Sequence, residues 1–101
     1  MATTTKALFR GAATTTVGTT LYTTPASTTT VLTSIVVTNT AGTAATFTLG
    51  IAGTSLATTV AIGANSIITL DLKQVLATTN TITGGASAIT VNFHISGVEI
   101  S

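Results

Sequence analysis

Ile89-Thr90-Val91-Asn92-Phe93-His94-Ile95-Ser96 alternates without a break between branched or aromatic apolar side chains and polar ones. Successive side chains of a strand point to opposite faces. The stretch therefore predicts a β-strand with Ile89, Val91, Phe93 and Ile95 on a core and Thr90, Asn92, His94 and Ser96 facing away. A helix would spread the same four apolar residues around its axis. Upstream, Gly84-Gly85 predicts a tight turn into this strand, and downstream Gly97 predicts a bulge before a last short segment over residues 98–100.

The rest of the chain extends the β reading. Residues 31–39 are a β-branched run with Ile35, Val36 and Val37 apolar on both parities, which predicts a central strand covered on both sides. Asn39-Thr40-Ala41-Gly42 supplies a turn, after which Ala45, Phe47, Leu49 and Ile51 alternate with Thr46, Thr48 and Gly50 in a half-buried strand with one threonine face. Further strands are expected over residues 19–23, ended by Pro25, and over 56–62, 67–72 and 81–83. In the second of these Ile68, Leu70 and Leu72 point one way. Residues 73–77 hold the only locally helix-compatible stretch, too short to stand alone, and read as one turn or an irregular crossover.

Composition agrees. Threonine supplies 28 of 101 residues and alanine 15, and only 5% of residues are charged, about one-fifth of the usual share. Stiff β-branched side chains suit a pleated surface, while the usual surface helix formers are nearly missing. The expected fold is a single all-β domain, an antiparallel β-sandwich of jelly-roll type with seven or eight short strands. Residues 1–18, where Leu8, Phe9 and Val17 stand isolated among Thr, Ala and Gly, read as an extended N-terminal arm, with the sandwich over residues 19–101.

Function is constrained mainly by what is scarce. Lys6, Arg10, Asp71, Lys73 and Glu99 are the only charged residues, giving a net charge of +1, so the clustered cations that nucleic acid or anionic membranes call for are missing. The start of the chain has no charged-then-apolar signal pattern and no stretch has membrane-spanning length, so the expectation is synthesis in a cytoplasm. Asp71 and Glu99 read as a turn residue and a surface charge rather than a catalytic carboxylate pair, and His94 as a hydrogen-bonded surface or interface histidine rather than a metal ligand. A serine with His94 and Asp71 would lack the Gly-x-Ser-x-Gly elbow that exposes a nucleophile, and Gly84-Gly85 has no phosphate-loop spacing. Tyr22 alone makes no stacking platform for sugars or bases. No enzyme activity, no cofactor, no metal and no small-molecule substrate are expected.

The cysteine-free chain cannot gain stability from a disulfide, and its nearly uncharged surface leaves sheet edges poorly protected. Both features predict a marginal monomer that is satisfied by contact with other protein. Lys6, Phe9 and Arg10 are the candidate partner contacts; the two cations read equally as anchors to carboxylates on a neighbouring subunit or as solvated surface charges. Thr46/Thr48 and Thr81/Thr83 would suit ice binding only in a regular ladder, which their irregular spacing disfavours.

Three stretches carry a resemblance: Leu21-Tyr-Thr-Thr-Pro-Ala-Ser-Thr-Thr-Thr-Val-Leu-Thr-Ser-Ile-Val-Val-Thr-Asn-Thr40, Ile62-Gly-Ala-Asn-Ser-Ile-Ile-Thr-Leu-Asp-Leu72 and Val91-Asn-Phe-His-Ile-Ser-Gly-Val-Glu-Ile100. Together they resemble small β-sandwich virion structural proteins of tailed bacteriophages, over residues 19–100. The resemblance implies a virion setting and transfers no catalytic residue. It implies a capsid decoration (cement) protein on the outer capsid surface, a homo-oligomer, typically a trimer, whose partners are itself and the major capsid protein. The alternative is a tail, fibre or baseplate component with receptor- or glycan-binding loops, although aromatic or Asp/Asn-rich loops are sparse here.

Overall fold

A computed structural model describes residues 3–16, 18–70 and 73–101. Nine strands run through them: β1 (Thr3–Ala12), β2 (Thr20–Thr23), β3 (Thr29–Asn39), β4 (Ala45–Ile51), β5 (Thr54–Ile62), β6 (Ser66–Leu70), β7 (Gln74–Leu76), β8 (Thr81–Ala86) and β9 (Val91–Ile100). They form two antiparallel sheets packed face to face. The first has the order β1-β9-β3-β6 with β7 also on β3, and the second has the order β2-β8-β4-β5.

The alternation read from the sequence supplies the core. From the first sheet, Leu32, Ile35 and Val37 on β3 and Val91, Phe93 and Ile95 on β9 are buried. From the second, Phe47 and Leu49 on β4, Ile62 on β5 and Ile82 on β8 meet them. Phe47 and Phe93 touch across the gap, with ring centroids 6.3 Å apart and planes at 74°, an edge-to-face contact. As expected, β3 is central, flanked by β9 on one side and by β6 and β7 on the other.

Four expectations are corrected. The expected arm is, over Thr3–Ala12, an edge strand laddered to β9, so the sandwich begins at Thr3; Met1, Ala2 and Val17 lie outside the described residues. An edge strand needs little apolar sequence, because its backbone ladder and one anchor suffice. Here the anchor is Leu8, extruded by a bulge between Ala7 and Phe9 and only 7% exposed. Residues 74–76, read as a turn or crossover, form β7 against Thr30–Leu32 of β3. Gly84-Gly85 is no turn but the interior of β8, and the turn falls at residues 87–90, leaving Ile89 outside the strand and 69% exposed. A Cβ on Gly84 would stand 2.8 Å from Leu49 Cδ2 and 3.0 Å from the Thr48 carbonyl, so glycine permits the close approach of β4. Finally, β9 runs unbroken through Gly97, and the bulges lie in its neighbours, at Leu8 in β1 and between Leu32 and Ser34 in β3. Leu72, expected to share a face with Ile68 and Leu70, and Asp71 lie outside the described residues.

Gly97 lets both neighbouring strands close on β9 at this level. A Cβ on it would stand 2.7 Å from the Val31 carbonyl oxygen and 2.8 Å from Leu8 Cδ1, so Leu8 fills the space a side chain would need. Gly97→Ala is expected to lower the unfolding free energy by about 1–3 kcal/mol, because a backbone atom and not only a flexible tip must move. Urea titration checks this, and an unchanged midpoint would mean that the ladder opens there at no cost.

Candidate interaction surfaces

At one end of the sandwich a polar clasp joins both sheets. Tyr22 on β2, 8% exposed, donates its phenolic hydrogen to Glu99 Oε2 on β9 at 2.5 Å and lies 2.9 Å from the Thr30 hydroxyl on β3. Lys6 Nζ on the edge strand β1 reaches the same carboxylate oxygen at 3.4 Å. Glu99 is thus not the plain surface charge its position near the end of the sequence suggested. The Tyr22 hydrogen bond, more than the Lys6 charge, holds the Glu99 carboxyl below its ordinary range against the opposing effect of burial. Burial, aided by the Glu99 bond, pushes the Tyr22 phenol up.

A carboxyl whose pKa is depressed by folding adds stability above its unfolded-state value, and that stability is lost as pH falls through the folded value. Glu99→Gln removes the charge, so the gap in thermal midpoint between parent and variant is expected to narrow from neutral pH down to about pH 3. Differential scanning calorimetry across that range checks it; a gap that stays constant would show that the charge adds nothing.

The structure separates the three candidate contact residues. Four residues apart on a regular strand, Lys6 and Arg10 would share a face, but the extra residue at Leu8 switches the parity. Lys6 pairs in register with Gly97 and turns to Glu99, whereas Arg10 pairs with His94, on the opposite side of the sheet. Phe9 is half-buried and packs against the core. Lys6 and Arg10 do border one shallow depression, yet only Arg10 offers it an uncommitted cation among the described residues.

Charge is segregated between the sheets. None of the four strands β2, β4, β5 and β8 contains a charged residue, and the outer face of the second sheet carries hydroxyls, glycine and alanine at Thr46, Thr48, Gly50, Ala61, Thr83 and Gly85, while Leu56 and Val60 on the edge strand β5 are also exposed. Between β4 and β8 the threonines do not stack side by side. Thr48 faces Gly85 and Thr83 faces Gly50, where a Cβ would stand 2.8 Å from the Thr83 hydroxyl. This checkerboard is low and even, unlike a threonine ladder. The outer face of the first sheet is mixed: a row of Val75, Val31 and Val98 crosses three strands, and His94 and Arg10 stand beside it on a row shared with Val36. Sequence reasoning missed the segregation because it depends on which strands share a sheet.

Among the described residues, no three His, Asp or Glu side chains gather where they could hold a metal ion. Neither protein-family models nor curated proteins yield a match to the chain.

Proposed function

We propose that the protein is a bacteriophage virion structural protein of jelly-roll type, a capsid decoration (cement) subunit that binds the outer capsid surface as a homo-oligomer, a trimer, and braces the shell. It works without catalysis. The observation that carries the proposal is the uncharged outer face of the second sheet, built from four strands with no charged residue. Laying such a face on another protein strips water from hydroxyls and small apolar groups, not from ions, and so avoids the several kcal/mol that each buried charge would cost.

The strand orders support the same reading. Sheets ordered β1-β9-β3-β6 and β2-β8-β4-β5, with the chain passing repeatedly between them, suit two interleaved Greek keys, the arrangement of a jelly roll. In this reading β6 and β7 together serve as one interrupted strand. The resemblance of the three stretches quoted above to phage virion proteins points the same way. Many copies, each adding a few kcal/mol of shell contact, act together through multiplicity.

Quantitative gel analysis of purified virus particles tests the proposal. Hundreds of copies per particle are expected. A few to a few tens would assign the protein to the tail, fibre or baseplate instead, and absence from particles would end the structural reading.

A further inference from the structure

The two bulges of the first sheet fall at one level. In β1 the extra residue Leu8 sits between the pairs Ala7–Ser96 and Phe9–Ile95, and in β3 Thr33 sits between Leu32–Gly97 and Ser34–Ser96. Both neighbours of β9 therefore bend at Ser96, and the Thr33 hydroxyl is spent on the Ser96 carbonyl at 3.1 Å. Bulges bend a strand and re-aim its side chains. Here their coincidence opens a shallow depression of about 450 Å3 on the outer face, bordered by Thr5, Lys6, Arg10, Thr33, Ser96 and Val98, with Lys6 already turned to Glu99.

Arg10 stands at this depression with an exposed guanidinium and no ion pair among the described residues. We infer that the twin-bulge depression is a docking point for a single carboxylate side chain, aspartate or glutamate, presented by a different protein in the assembly. The inference rests on the structural role proposed above and names the chemistry of one contact. A guanidinium presents parallel N–H donors that match the two oxygens of a carboxylate, and the Ser96 and Thr5 hydroxyls at the border can complete the set. Arg10 and a Lys6 already paired with Glu99 do not suit a nucleic acid, whose binding needs a row of cations. Nor does a second copy supply the anion readily: the chain has two acidic residues, and Glu99 is already held by Tyr22 and Lys6, leaving Asp71. With so few charges elsewhere, one such pair orients the contact made by the outer face of the first sheet.

The test is NMR titration of the isotope-labelled full chain with acetyl-Gly-Glu-Gly-amide, with its Gln counterpart and with inorganic phosphate. The glutamyl peptide is expected to give saturable shifts at Arg10, Thr33 and Ser96, at least tenfold weakened in Arg10→Gln and unchanged in Lys73→Gln. Equal binding of the Gln peptide, retention in Arg10→Gln, or phosphate binding tenfold tighter than the glutamyl peptide would overturn the inference. Sedimentation velocity covers the self-contact: if Arg10→Gln and Asp71→Asn dissociate the homo-oligomer alike, the carboxylate belongs to a second copy and the inference fails. Any of these failures leaves the particle copy number untouched, so it is distinguishable from failure of the structural role.

Discussion

Phe47→Ala is expected to cost about 3–5 kcal/mol of unfolding free energy, a large part of the roughly 5–15 kcal/mol available to a domain of this size. Phe47 is 1% exposed and provides the second sheet's half of the only aromatic contact between the layers among the described residues. Truncation removes its apolar area from the core and leaves a cavity that neither sheet can close fully, because each is held by its own backbone ladder. The edge-to-face contact with Phe93 adds about 1 kcal/mol beyond area alone. Phe93→Ala should cost a similar amount, and the double variant less than the sum, since both changes delete the same contact. Urea unfolding of the four species checks this. A loss below about 1 kcal/mol for either single change would mean that the sheets do not meet where these rings place them.

Asn39→Leu is expected to cost about 3 kcal/mol, although it exchanges a polar buried residue for an apolar one of similar size. The side chain is 2% exposed, and its amide donates to the carbonyls of Thr43 at 2.8 Å and Gly63 at 3.2 Å. Its oxygen accepts from the Ala41 N–H at 3.1 Å and from the Thr90 hydroxyl at 3.2 Å. The four bonds tie three loops to the end of β3, two of them reaching Ala41 and Thr43 of the same loop, so the leucine variant strands partners in three loops at once. Asn39→Asp keeps the two accepting bonds but sets carboxylate oxygen against two carbonyls in a buried site. It should destabilise at least as much at neutral pH and recover part of the loss in acid, where the carboxyl is protonated and can donate. Equal stability of Asn39→Leu and the parent would show that water replaces the amide freely.

The parts of this fold that were legible in the sequence are those where both sides of a strand have distinct neighbours. In β4 and β9 one face meets the core and the other meets solvent, so period-two alternation is forced; β3 is central as expected, but its outer face, with Val31 and Val36, is only half-buried, so the double-sided apolar run did not mean cover on both sides. β1 escaped because its core contacts come from the adjacent residues Leu8 and Phe9 at the bulge, which leave no periodic trace over its ten residues. Gly84-Gly85 misled because a glycine that permits close approach of a neighbouring strand is spelled the same as one that turns the chain. The clasp was invisible for a different reason. Tyr22 and Glu99 are 77 residues apart, and nothing local to either records the other. Lys6 and Arg10 were identified together, yet the bulge between them, which turns Lys6 to Glu99 and leaves Arg10 beside His94, is set by the pairing with β9.

The central claim is that the protein does its work by covering and bracing other protein. Particles lacking it and particles to which the purified chain has been restored can be heated while genome release is followed by a nucleic-acid dye. The account predicts release at a lower temperature without the protein and recovery of the higher temperature as it is added back to saturation. Release at the same temperature, with the protein bound at full occupancy, would contradict it.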